Sequence, residues 1–98
     1  MFYLIGSRFF GTHRPDSDWD YVGEKNLENQ KLCETLGMKE VPGSPSPSMM
    51  RYWGMNHDIL LVDDLPRQLR IRDEIARFPN LSKEERQKKM KEIANGMV

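Results

Sequence analysis

The fold of this chain is decided by the run Gly6-Ser7-Arg8-Phe9-Phe10-Gly11-Thr12-His13-Arg14-Pro15-Asp16-Ser17-Asp18-Trp19-Asp20. Before it, Met1-Phe-Tyr-Leu-Ile5 is short, apolar and rich in β-formers, which predicts a buried strand stopping at Gly6. Inside it, Gly11, Pro15 and Asp16 predict a loop over residues 7–17 with one helical turn. Beyond it, Asp18-Trp-Asp-Tyr-Val22 alternates polar and apolar residues. On a strand, that alternation places Asp18 and Asp20 on one face and Trp19 and Tyr21 on the other.

Further along, residues 24–36 predict a helix with Leu27, Leu32 and Leu36 inward and Gly37 as terminator. Pro42, Pro45 and Pro47 among Ser and Gly predict a loop over residues 41–48. Residues 49–55 and 57–62 read as two strands with Gly54 and Asn56 near a tight connection. Asp64 is placed to cap a helix over residues 65–78, with Pro66 in its first turn and Ile71, Ile75 and Phe78 as its apolar stripe. Ser82 and Glu85 form a capping box for a last helix that buries Met90, Ile93, Ala94 and Met97. The expected architecture is one α/β (α+β) domain over residues 1–98, a small mixed sheet with helices packed on it and two C-terminal helices. The length of 98 residues supports a single small core.

Residue chemistry converges on the first run. A strand ending in Gly6-Ser7 gathers backbone N–H groups and a hydroxyl where glycine lets the chain approach a ligand, and such N–H groups favour phosphate oxygens. Asp18 and Asp20 supply the paired hard oxygens that Mg²⁺ takes when it shares its shell with phosphates. Arg8 and Arg14 flank the loop and are candidates to neutralise a triphosphate. A third carboxylate would complete a two-metal arrangement, and Asp58, opening the strand Asp58-Ile-Leu-Leu-Val62, is the candidate.

Gly-Ser, a ten-residue spacer, Asp-x-Asp and the embedded Arg14-Pro15-Asp16-Ser17-Asp18 together resemble the signature of the minimal nucleotidyltransferases of the DNA polymerase β-like superfamily. The resemblance covers residues 1–22 well and residues 56–62 loosely. It implies that Asp18 and Asp20 bind Mg²⁺ or Mn²⁺, that Gly6 and Ser7 bind nucleotide phosphates, and that Asp58 corresponds to the later strand carboxylate. The implied activity is transfer of a nucleoside monophosphate from an NTP, ATP first, to a hydroxyl. Members of that family usually carry a helix before the Gly-Ser strand, whereas this sequence starts on the strand. One side of the sheet is therefore expected to be covered by a second copy or by a protein partner. Trp19 and Tyr21 are also bulkier than the aliphatic residues usual at those positions.

Composition bounds these expectations. Lys plus Arg and Asp plus Glu both number 15, so no net basic field draws nucleic acid, and any such contact would be local. Arg67, Arg70, Arg72 and Arg77 with the last helix's lysines form a mixed surface best read as solvated. Cys33 is the only cysteine, which excludes an internal disulfide and a cysteine zinc site and suits the cytoplasm. No apolar run approaches the ~20 residues of a membrane span. An EF-hand is excluded because Tyr21 and Leu27 stand where Gly and Glu are required. His13 and His57 lack metal-ligand spacing, and of Tyr52 and Trp53 at least one belongs to the core, the other being available to stack on a base. The alternative to an enzyme is a catalytically weak or inactive nucleotidyltransferase-like interaction protein, such as an antitoxin or a viral binder of a host factor.

Overall fold

The structure is a computed structural model describing residues 1–42, 48–78 and 80–96. It is a mixed α+β fold in which β1 (Phe2–Ile5), α1 (Gly6–Phe10), β2 (Trp19–Glu24), α2 (Leu27–Thr35), β3 (Lys39–Glu40), β4 (Met49–Gly54) and β5 (His57–Val62) precede α3 (Leu65–Ile75) and α4 (Lys83–Gly96). The strands form one sheet in the order β1-β2-β5-β4-β3. β2 and β5 run parallel at its centre, and the other pairings are antiparallel. The chain divides into two compact units, Met1–Leu65 and Pro66–Val98.

In the first unit, the core lies on the sheet face covered by α2. Cys33 and Met38 pack with Tyr52, Ile59 and Leu61, flanked by Phe2, Tyr21 and Met50. The alternation of β5 explains this division: Ile59 and Leu61 point one way, Asp58, Leu60 and Val62 the other. β4 and β5 are joined by Met55 and Asn56, both at positive φ, as a two-residue type I′ turn requires. Most of the expected 41–48 loop, residues 43–47, lies outside the described residues.

The second helix corrects the expectation in two ways. It begins at Leu27 rather than residue 24, because β2 continues to Glu24 in register with Val62. Asn26 then caps it by accepting from the Asn29 N–H at 2.8 Å. Its inward residues are Asn29 and Cys33, not the leucines, and Leu27 is 71% exposed. Helical geometry gives the reason. At ~100° per residue, positions 29 and 33 share a face, 32 falls at its edge and 27 lies almost opposite, while Leu36 lies past the last helical residue, Thr35, as the C-cap. Asn29 tolerates burial because its side-chain amide donates to the Glu24 carbonyl at 2.7 Å.

In the second unit, Ile71 and Ile75 of α3 are buried as expected. The helix stops at Ile75, and Phe78 is exposed beneath the Lys89 ammonium, 4.6 Å from its ring centroid. Arg77 and Phe78 donate to carbonyls three residues back, which tightens and ends the turn before Pro79. The capping box forms in both directions, Ser82 N–H to Glu85 and Glu85 N–H to the Ser82 hydroxyl, each 3.2 Å. Met90 is exposed rather than buried, and Arg86 takes a buried position on α4 instead. Ile93 and Ala94 of the expected stripe are half-buried. Met97 lies outside the described residues. Arg67 of α3 reaches the Ala94 carbonyl of α4 at 3.1 Å.

Candidate functional site

The sheet face opposite the α2 core carries the site. Parallel pairing sets Asp20 directly beside Asp58, so both carboxylates leave the same face from adjacent strands. The register depends on the hairpin turn: the Trp19 N–H donates to the Asn56 carbonyl at 2.8 Å and docks the start of β2 on the β4–β5 connection. A one-residue slip would send Asp20 to the core face. Asp18 lies one residue before β2, exposed, at the same alternation as Asp20.

Gly6 closes the other side of Asp20. It has φ +73°, and a Cβ placed there would lie 2.4 Å from Asp20 Oδ2. Only a glycine lets the chain turn at this point and leaves the carboxylate its place. α1 then makes the single helical turn expected, ending at Gly11, whose φ is +75°. The Ser7 carbonyl accepts from the Thr12 N–H at 2.9 Å, which folds the following loop back over the turn.

Arg8 braces that loop. Its guanidinium donates to the Ser17 carbonyl at 3.0 Å and the Pro15 carbonyl at 3.3 Å, and lies 4.1 Å from the Trp19 ring centroid. This explains the bulk of Trp19: its ring is a platform for Arg8. Arg14 lies in the same exposed loop and donates its backbone N–H to the Ser17 hydroxyl at 2.8 Å.

Sequence reading missed Arg51. Its Nε lies 2.9 Å from both Asp58 oxygens, and its Nη2 also donates to that carboxylate. Asp58 is largely shielded, at 15% side-chain exposure. Hydrogen bonding to Asp58, and then its charge, raise the Arg51 pKa above the usual value, and Asp20 and Asp18 push the same way. All three carboxylates therefore act on one guanidinium. The hairpin contained the signal: a two-residue turn at 55–56 puts Trp53 opposite Asp58 and Arg51 opposite Leu60, one diagonal step from Asp58.

The donor chemistry of Asp18, Asp20 and Asp58 suits a small hard cation, since all the oxygens are carboxylate. Among the described residues, however, no three His, Cys, Asp or Glu side chains are gathered to hold a metal. Both oxygens of Asp58 face Arg51 instead. Among the described residues, no helix is long and apolar enough to cross a membrane. Comparison with family models, with curated proteins and with solved structures found no match.

Proposed function

We propose that this chain is a nucleotidyltransferase-fold protein that transfers a nucleoside monophosphate from an NTP, ATP first, to a hydroxyl acceptor. The observation that carries this reading is Asp20 held between Gly6, which admits no side chain, and Asp58 on the neighbouring strand. It joins the Gly-Ser turn and both strand carboxylates in the order the sequence resemblance implies. In this reading Gly6 and Ser7 receive the phosphates, Arg8 keeps the loop closed over Trp19, and Arg14 offers a cation from the loop. Bound Mg²⁺ or Mn²⁺ would supply charge neutralisation at the phosphates, with Asp18 and Asp20 as ligands and Asp58 beside them. The acceptor oxygen forms a bond to the α-phosphorus as the α–β bridging P–O bond breaks and pyrophosphate leaves. The acceptor proton passes through Asp58 to solvent. Arg51 positions Asp58 by donating to both of its oxygens.

The second reading, an interaction protein of the same fold, draws on a specific observation. Arg51 already neutralises Asp58, as suits a site that binds without turning over. A protein partner or a second copy of the chain fits either reading. The reducing cytoplasm suits the buried free thiol of Cys33, whose pKa burial raises.

The experiment combines thermal unfolding with transfer of label from α-labelled ATP to candidate acceptors. Under the enzyme reading, ATP with Mg²⁺ raises the Tm of the wild type. Asp18→Asn with Asp20→Asn removes that shift with the fold intact, and Asp58→Ala lowers transfer by on the order of 100-fold or more. A persistent shift in the double variant would exclude the site. A shift without transfer to any acceptor, unaffected by Asp58→Ala, would select the interaction reading.

A further inference from the structure

The two carboxylates at the start of β2 are held by different means. Asp20 lies within the strand, where register sets it between Ile5 and Asp58 and Gly6 gives it clearance. Asp18 precedes the strand, which begins at Trp19, so the ladder does not fix it. It is exposed, at the end of a loop whose residues 11–16 are all exposed. What holds its neighbours is Arg8. The guanidinium donates from Nε at 3.3 Å and from Nη2 at 3.0 Å to the carbonyl of Ser17, the residue before Asp18. Its Cζ lies 4.1 Å from the ring centroid of Trp19, the residue after Asp18. One side chain therefore grips the chain on both sides of this carboxylate. The turn that presents Ser17 closes on itself. The Ser17 N–H donates to the Arg14 carbonyl at 3.0 Å, and the Arg14 N–H donates to the Ser17 hydroxyl at 2.8 Å. Arg8 follows Gly6 and Ser7 in α1, so the grip also ties Asp18 to the Gly-Ser turn.

The two roles open to Arg8 make different demands. A phosphate ligand presents its N–H groups to the nucleotide. Arg8 is half-buried, and its Nε and Nη2 are committed to the Ser17 and Pro15 carbonyls. We propose that Arg8 is a positioning residue for the metal ligand Asp18, acting through the Ser17 carbonyl and the Trp19 ring, rather than a ligand of the nucleotide phosphates. This rests on the nucleotidyltransferase reading, which puts Mg²⁺ or Mn²⁺ at Asp18 and Asp20. The arrangement needs arginine and an aromatic ring together. A planar guanidinium donates along its edge while its face lies on the indole, which a lysine ammonium cannot do. Groups that stand behind a metal ligand and hold its orientation are worth about 10- to 100-fold in metal affinity. Exposed Arg14 then remains the loop's cation for phosphate.

The test reads metal binding without nucleotide or turnover. Mn²⁺ is titrated against the full chain, and free Mn²⁺ is followed by electron paramagnetic resonance. The wild type should bind it, and Asp18→Asn with Asp20→Asn should not. Arg8→Met should weaken Mn²⁺ binding about 10- to 100-fold, and Arg8→Lys should not restore it. Trp19→Leu should weaken it as well, while Trp19→Phe, which keeps a ring under the guanidinium, should retain most of the affinity. Arg8→Met combined with Trp19→Leu should bind no more weakly than the worse single variant, because both act on one clamp. The Tm without metal reports folding. If Arg8→Met does not fold, the Trp19 pair decides, and equal affinity in Trp19→Leu and Trp19→Phe overturns the proposal. Unchanged Mn²⁺ affinity in folded Arg8→Met, or losses that add in the double variant, would also overturn it. Unchanged Mn²⁺ affinity with a weakened Tm response to ATP and Mg²⁺ would make Arg8 a phosphate ligand instead. A wild type that binds Mn²⁺ no better than Asp18→Asn with Asp20→Asn removes the metal site, and the nucleotidyltransferase reading falls together with the proposal.

Discussion

The two faces of the sheet are built from the same strands and made opposite by alternation. On one face, Tyr52, Ile59 and Leu61 meet Cys33 and Met38 in a closed apolar core. On the other, one residue away along each strand, Asp20, Asp58, Arg51 and Trp53 form a polar surface on which Arg51 donates to Asp58. Their tolerances differ accordingly. The core face needs volume, because a void forfeits transfer energy and dispersion contacts. The site face needs register and small clearances, because the proposed chemistry depends on where two carboxylates and a guanidinium stand relative to one another. A change on one face should leave the other's property intact.

The largest expected effect is on the core face. Leu61 is fully buried in the cluster, so Leu61→Ala should cost about 2–5 kcal/mol. That is a large share of the about 5–15 kcal/mol that holds a domain together. Urea unfolding measures it. Below the transition, the folded protein should keep its Tm response to ATP and Mg²⁺. A loss under about 1 kcal/mol would mean that the Cys33–Leu61 cluster is not the centre of the core. A lost nucleotide response in the folded protein would break the independence of the two faces.

The next comparison sets two glycines against each other. Gly6 faces Asp20 at positive φ, whereas an added Cβ at Gly23 would meet Phe2, 2.7 Å from its Cδ1. Gly6→Ala should cost about 1–2 kcal/mol from the left-handed backbone alone. It should also displace the Asp20 carboxylate and weaken the nucleotide response. Gly23→Ala meets the Phe2 ring, which packs against the core, and comes 3.3 Å from the Met1 carbonyl, so it should cost about 1–3 kcal/mol of stability while the nucleotide response should be unchanged. Paired melting curves, with and without ATP and Mg²⁺, check both. Equal loss of response in the two variants would remove the claim that Gly6 is kept for clearance at Asp20.

What could be read from the sequence follows the same division. The alternation of Asp18-Trp-Asp-Tyr-Val22 and of Asp58-Ile-Leu-Leu-Val62 showed which residues share a face within each strand, since strand period is set by the backbone, whereas the common face of Asp20 and Asp58 follows from the parallel register of β2 and β5. The faces of α2 were not legible from its leucines. The Asn26 cap and the extension of β2 set where the helix begins, and two small residues, Asn29 and Cys33, meet the sheet. Arg51 was missed because it acts across a strand pair, although the two-residue turn held the register that would have found it. Arg8 was read as a phosphate candidate from its place in the motif, while its contacts with Pro15, Ser17 and Trp19 depend on a loop geometry that spacing does not specify.

The smallest effect belongs outside both faces and serves as their control. Glu85 closes the capping box at the start of α4, and its pKa is lowered, first by the Ser82 backbone N–H and then by the Ser82 side chain. A carboxylate whose folded pKa is depressed contributes stability that is present above its unfolded pKa and is lost as pH falls through its folded pKa. The wild type should therefore be slightly more stable than Glu85→Gln at neutral pH. The amide keeps an acceptor for the Ser82 N–H but loses the charge near the positive end of the helix. As pH falls through its lowered folded pKa, Glu85 protonates and the two melting curves should converge. Exposure of the pair to solvent keeps the difference small and sensitive to salt. Chemical denaturation of both proteins from pH 7 to pH 3, at low and high salt, measures it. A gap that widens as pH falls would have the wrong sign for a carboxylate stabilised in the folded state and would remove the capping box as its cause. The nucleotide response at neutral pH should be identical in the two proteins, because neither face of the sheet has changed.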